Sequence, residues 1–279
     1  MEIRKFERTY ENITFNYALY NCSNFEFNLT TVNCTKKEFF STHMHPFTEI
    51  VFLKEGVLKF YYEDSIIDLM ANDLIVTPPL KYHFYESQAN TRHEKIVFQI
   101  KTPDFFNNCN FTELKKINVS NNMILSSVFK RFEYYIKNSE KPILNENFKT
   151  LIEGLAQELI INLTCLEEDF LLPKTENRLL SSILTHINEN LNKINNLKDI
   201  TQKFYISENY LHKLFKENLR ITPLNYINQK KITLAKNLIE YGHSLSSIAE
   251  QCGFNSYASF YRCYKKYFGT TPSQLKNKQ

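Results

Sequence analysis

The sequence predicts an α+β chain of two domains. An N-terminal β-barrel or sandwich with helices comes first. An all-α domain follows, with two helix–turn–helix units joined by a connecting helix. Three observations predict this. The hydrophobic period changes along the chain from alternation to the 3.6-residue spacing of helices. Charge is divided unequally: residues 1–173 carry 18 Lys+Arg and 23 Asp+Glu, net −5, while residues 174–279 carry 16 and 7, net +9. One helix-pair pattern also occurs twice in the basic third. A length of 279 residues suits about two domains. We place them at 1–170 and 171–279.

From about residue 25 to 100 the runs are short, β-rich and separated by polar turns, as in an all-β barrel or sandwich. "TEIVFLKEGVLKFYYED" reads as a hairpin around Glu55-Gly56. "SIIDLMANDLIVTPP" gives two more runs around Ala71-Asn72-Asp73, and "KYHFYES" and "HEKIVFQI" continue the series. From about 122 to 168 the period becomes helical. Val128, Phe132 and Ile136 recur every fourth residue, and Phe148, Leu151, Ile152, Leu155, Leu159 and Leu163 form one stripe. Such a stripe is a core face or a dimer surface. "EEDFLLPKTEN" (167–177), with Pro173, is the expected linker.

"MEIRKFERTY" has no apolar run, which argues against a secretory signal. No apolar stretch reaches the ~18 residues of a membrane span. The six cysteines (22, 34, 109, 165, 252, 263) are scattered without a CxxC, as expected of reduced, structural thiols in a cytoplasmic protein. The basic third on an acidic body points to a polyanion partner for that third alone.

In "SLSSIAEQCGFNSYASFYRCYKKYFGTTPSQL", Leu245, Ile248, Ala249 and Cys252 share one helix face. Gly253 supplies a turn needing positive φ, and Ser256 can N-cap the next helix. Phe260, Tyr264 and Phe268 then face inward, leaving Tyr257, Tyr261, Arg262 and Lys265 outside. The pattern repeats upstream in "LKDITQKFYISENYLHKLFKEN". Leu197, Ile200, Thr201 and Phe204 form the first face and Ser207 the N-cap. Leu211, Leu214 and Phe215 pack inward, leaving Asn209, His212, Lys213 and Lys216 outside. Between the units, "TPLNYINQKKITLAKNLIEYG" reads as one helix, capped by Thr222, opened by Pro223 and ended by Gly242. Its buried side is Tyr226, Ile227, Ile232, Leu234, Ala235, Leu238 and Ile239. Its length of roughly 28 Å suits two recognition helices about one DNA turn apart.

Through "ISENYLHKLFKE", "IAEQCGFNS", "FYRCYKKYFGTTPSQL" and the connecting helix, residues 197–275 resemble the double helix–turn–helix domain of the AraC/XylS family of bacterial transcription regulators. The resemblance implies promoter double-stranded DNA as partner. It implies base contacts from Asn209, His212 and Lys213 in the first unit and from Tyr257, Ala258, Tyr261 and Arg262 in the second. Those side chains carry donors, acceptors and apolar groups suited to base edges. Ser207, Lys216, Ser256 and Lys265 are the expected phosphate contacts. Two positions depart from the family pattern. Arg220 stands where the first recognition helix usually ends in Gly, so the turn is either reshaped or sends Arg220 to a phosphate. Ser259 stands where an aromatic is common.

"HMHPFTE" (43–49) puts two imidazoles and a carboxylate, all metal-ligand types, within seven residues. AraC-type regulators commonly carry a cupin-like barrel, and His43-x-His45-x3-Glu49-x6-Gly56 has the spacing of the first cupin motif. Pro78 and His83 match the second, but Asn72, Leu80 and Ser87 replace its usual Gly, Gly and Asn. The family context implies that His43, His45, Glu49 and His83 line a small-molecule effector pocket with no cofactor. A metal held by the same four residues is the alternative.

The expected protein is therefore a homodimeric, effector-responsive transcription regulator, in family terms usually an activator that recruits RNA polymerase, and not an enzyme. The alternatives are a metal-dependent cupin enzyme fused to a DNA-binding domain, and a constitutive DNA-binding dimer.

Overall fold

A computed structural model of the chain describes residues 4–10, 12–40, 43–106, 111–138, 147–166, 177–240 and 243–276. The N-terminal part is a two-sheet antiparallel structure. Its strands are β1 (Arg4–Tyr10), β2 (Ile13–Asn21), β3 (Phe25–Cys34), β4 (Glu38–Phe39), β5 (Thr48–Glu55), β6 (Val57–Tyr62), β7 (Ser65–Met70), β8 (Asp73–Thr77), β9 (His83–Ser87), β10 (Thr91–Ile100) and β11 (Lys115–Asn118). The larger sheet runs β1-β2-β3-β10-β5-β8-β11 and the smaller β4-β9-β6-β7. The strands expected from about residue 25 are preceded by two more, β1 and β2.

The hairpin expected at Glu55-Gly56 does not form. β5 pairs with β10 and β8 in the larger sheet, while β6 pairs with β7 and β9 in the smaller. Glu55-Gly56 is a corner between sheets, as is Ala71-Asn72 between β7 and β8. Local alternation identifies strands but not their partners, and here both turns must hand the chain across the core. The tight hairpin lies instead at Glu63-Asp64, where Tyr62 pairs with Ser65.

Alternation along β5 explains its burial on both faces. Val51 and Leu53 enter the core between the sheets with Phe60, Leu69, Ile75 and Tyr85. Ile50 and Phe52 point the other way, into a second core with helices α1 (Met123–Lys137) and α2 (Phe148–Thr164). Phe52 stacks on Phe129 with ring centroids 4.4 Å apart, and Phe27 meets Phe132 at 4.9 Å. The apolar stripe predicted at 148–163 is thus core within the chain. Of the expected linker, residues 167–176 lie outside the described residues. Asn177 caps α3 (Arg178–Glu189) through Leu180 N.

The C-terminal part continues with α4 (Leu197–Phe204), α5 (Glu208–Leu219), α6 (Pro223–Glu240), α7 (Leu245–Gln251), α8 (Tyr257–Phe268) and α9 (Pro272–Lys276). α6 joins two small cores. Tyr226 and Ile227 belong to the first with Leu211, Leu214 and Phe215. Ile232, Ala235 and Ile239 belong to the second with Ile248, Phe260 and Tyr264. Leu234 and Leu238, expected inside, are only partly buried. Gly242, expected to end this helix, lies outside the described residues. No described helix is long and apolar enough to cross a membrane. Five described cysteines are free thiols, and Cys109 lies outside the described residues.

Candidate functional site: two recognition helices and a histidine–glutamate cluster

Ser207 and Ser256 start the two candidate recognition helices. Their hydroxyls accept from Tyr210 N at 3.1 Å and Ser259 N at 3.2 Å, satisfying donors that helix starts leave open. Inward residues are buried as the helical period requires: Leu211, Leu214 and Phe215 in α5, Phe260 and Tyr264 in α8. Asn209, His212, Lys213 and Lys216 are left exposed on α5; on α8, Tyr257, Ala258, Arg262 and Lys265 are exposed and Tyr261 half-exposed. The residues singled out from the sequence thus form two solvent-facing sets, one per unit. Ser259, where an aromatic is common, donates its backbone N–H to the cap, and its hydroxyl accepts from the Ser256 hydroxyl at 3.1 Å.

Two lysines of α6, Lys230 and Lys231, are buried without any local signal for it in the sequence. Lys231 Nζ donates to Ile194 O at 2.7 Å and Gly253 O at 2.6 Å, tying the lead-in of the first unit to the turn of the second. Lys230 Nζ donates to Leu80 O at 3.0 Å and Glu63 Oε1 at 3.3 Å, both in the β-domain. A lysine pair on a helix reads as a solvated or DNA-facing surface in sequence, and only the tertiary partners reveal the burial.

Arg220 keeps the left-handed backbone that Gly would supply, at φ 56. Its guanidinium lies 3.5 Å from the centroid of Phe39 on β4, so the expected reshaping and the phosphate contact are both replaced by a contact with the β-domain. Asn72 and Leu80, which replace the glycines of the second cupin motif, also sit at positive φ, 70 and 61.

Inside the β-domain, His43, His45, Glu49 and His83 converge, with one ligand atom from each lying within 4.8 Å of the others. His43 pairs with His83 across a β-bridge, and Glu49 is the second residue of β5. His45 Nδ1 bonds Phe47 O at 2.8 Å and His83 Nδ1 bonds Lys81 O at 2.9 Å. A carbonyl only accepts, so each Nδ1 carries a proton and each Nε2 is turned inward. Those Nε2 atoms lie 3.6 and 3.4 Å from the Glu49 oxygens, and both are buried without a hydrogen-bond partner. Gln99 Nε2 steadies Glu49 at 3.1 Å. Burial alone would raise the Glu49 pKa; His45 and His83 beside it override that and hold it well below the usual carboxylate range. Lys95 sits 4.3 Å from the Tyr85 ring centroid; burial pushes its pKa down against the pull of Glu49.

The four sequence-predicted cluster residues are thus brought together, and the neighbouring strands turn their other faces to the helical domain. Tyr82 OH donates to Leu219 O at 3.0 Å, and its ring meets Tyr226 at 5.4 Å. Met44, Tyr82 and Phe84 share one buried cluster with Leu180, Leu211, Phe215 and Tyr226. Glu63, in the β6–β7 turn, accepts from Tyr226 OH at 2.7 Å. Burial opposes the charge on Glu63, but Lys230, Lys81, Tyr82 N–H and the Tyr226 hydroxyl outweigh it and keep its pKa low.

Comparison with known proteins supports both halves. Residues 30–110 match the model of an AraC-like ligand binding domain, and residues 200–278 that of a helix-turn-helix domain. The chain is 26% identical over 247 residues to the Msm operon regulatory protein of Streptococcus mutans, covering 81% of this chain and 83% of that protein. It is 30% identical over 125 residues to the probable transcriptional regulator LumQ of Photobacterium leiognathi, covering 43% of this chain and 50%, about half, of LumQ. The crystal structure of ToxT from Vibrio cholerae O395 aligns with 91% of this chain and 97% of that one, at 15% identity and a TM-score of 0.39.

Proposed function

The chain belongs to the AraC/XylS family of bacterial transcription regulators, and on that premise we propose that it binds promoter DNA in the cytoplasm under control of a small effector held by its β-domain. The observation that carries this reading is the pair of helix–turn–helix units, each with its polar and aromatic set turned to solvent. We assign base contacts to Asn209, His212, Lys213, Tyr257, Ala258, Tyr261 and Arg262, and backbone contacts to Lys216 and Lys265. Ser207 and Ser256 hydroxyls are engaged in caps, so their helix-start N–H groups are the better phosphate donors. Dimerisation through the outer face of α1 and α2, and activation by contact with RNA polymerase, complete the proposal. Exposed Met123, Ile124, Tyr134 and Ile161 on those helices support the first.

Control requires the effector to favour one arrangement of the two domains over another. The Tyr82–Leu219, Tyr226–Glu63 and Arg220–Phe39 contacts all reach the first unit from the β-domain, so a change in that domain is transmitted there. Enrichment of duplexes from a pool of randomised sequence on the full chain tests the reading. A recovered motif with two half-sites about one DNA turn apart, bound with steep salt dependence, supports it. Recovery of no motif would overturn it.

A further inference from the structure

We propose that a divalent first-row transition-metal ion, held by His43, His45, Glu49 and His83, is an input the regulator senses; this rests on the regulatory reading above. The donors are the first argument. Imidazole nitrogens and one carboxylate suit Zn, Fe, Ni or Mn, and four such atoms already lie within 4.8 Å of one another. The arrangement of the rings is the second. A histidine poised for a metal donates its far N–H to a carbonyl or carboxylate, which fixes the tautomer. His45 does this to Phe47 O and His83 to Lys81 O, and Gln99 similarly anchors Glu49. The third is that His45 Nε2 and His83 Nε2 are buried with no hydrogen-bond partner, an arrangement that costs free energy unless something binds them. One ion satisfies both.

The strands that carry the ligands also carry the domain contacts. Side chains alternate along an extended chain. His43 and His45 point into the cluster while Met44 between them packs toward the helical domain. His83 points in while Tyr82 and Phe84 on either side point out. The intervening backbone is shared as well. Leu80 N donates to His45 O at 2.9 Å, Leu80 O accepts from Lys230, and Lys81 O holds His83. An ion that draws His45 and His83 together therefore acts on segment 79–84, whose outer face grips the end of the first recognition helix through Leu219.

The test uses the full chain, stripped with a chelator and reloaded separately with Zn²⁺, Mn²⁺, Ni²⁺ or, without oxygen, Fe²⁺. Metal content, thermal melting and affinity for an enriched duplex are read for each form. We expect one ion per chain and a raised melting temperature. His45→Gln and His83→Gln should each weaken retention more than about tenfold. Loaded and stripped protein should differ at least about fivefold in duplex affinity, a difference reduced in Tyr82→Phe, which keeps the four ligands. If no tested ion is retained or raises melting of the wild-type chain, the site is not a metal site; this arm stands even if a variant fails to fold. If an ion binds stoichiometrically but stripped and loaded chains bind the duplex equally, sensing is overturned. If neither form binds any enriched duplex, the regulator reading itself fails, while the metal assignment is judged by retention and melting alone.

Discussion

The two helix–turn–helix units follow one plan and differ where the backbone is least forgiving. In the first, Ile206 N bonds Thr201 O at 3.0 Å; in the second, Phe254 N bonds Ala249 O at 2.9 Å. Each unit turns through one left-handed residue between its helices and ends its recognition helix on another. The second uses Gly253 and Gly269, at φ 72 and 70. The first uses Tyr205 and Arg220, at φ 54 and 56. A side chain in this region costs roughly 1–2 kcal/mol. The first unit therefore carries strain that the second avoids. It is also the unit that meets the β-domain, where Arg220 covers Phe39 and Tyr226 meets Glu63. Tyr205 is 95% exposed, and nothing in the structure explains its choice. A left-handed position without glycine, as at Arg220, is thus held by a partner outside its own motif.

The largest expected effect lies in that partner. Glu63→Ala would leave Lys230 buried without its carboxylate and the Tyr226 hydroxyl without its acceptor. It should destabilise the full chain by about 3–5 kcal/mol in urea unfolding; a loss below about 1 kcal/mol would mean the first unit is not held there. The Glu63 carboxyl is held below its ordinary 4.5, so its contribution is complete above that value and is lost as pH falls through the lower folded pKa. In the second unit, a Cβ on Gly253 would meet Asn192 O at 2.5 Å, whereas one on Gly269 meets nothing within 4 Å. Gly253→Ala should cost about 2–4 kcal/mol and Gly269→Ala about 1 kcal/mol. Equal costs would show that the turn relaxes away from Asn192. Arg262→Ala, on the exposed face of α8, should weaken specific duplex binding by about 1–3 kcal/mol and relax preference at one base pair. Unchanged affinity and preference would remove α8 from the groove. The smallest effect belongs to Arg220→Gly. Relief of left-handed strain should nearly offset the lost ring contact, leaving stability within about 0.5 kcal/mol. In a Phe39→Leu background the same change should become stabilising by about 1 kcal/mol.

The elements and sites that could be read from the chain were those whose signals are local. The stripe from Phe148 to Leu163, the caps Ser207 and Ser256, and the outward sets on α5 and α8 all follow from helical period and hydrogen-bonding chemistry within a few residues. His43, His45, Glu49 and His83 were identified together only with the help of a resemblance, because nothing local joins His83 to a site almost forty residues earlier. β1 and β2 escaped notice, since β1 is mostly exposed and β2 only partly buried, which weakens any apolar alternation.

By itself, then, the sequence determined where the strand region gives way to helices, which faces of the two recognition helices are apolar, and that a basic double helix–turn–helix follows a histidine-bearing β-domain. Tertiary structure alone decided that Glu55-Gly56 turns a corner rather than a hairpin, that Lys230 and Lys231 are buried, and that Arg220 stacks on Phe39. It also decided that the two sides of segments 43–45 and 82–84 serve different masters, the cluster and the helical domain. The physical reason is range. Period and capping act over a few residues, whereas strand partnership and the burial of a charge depend on groups far away in the chain, such as Glu63 for Lys230.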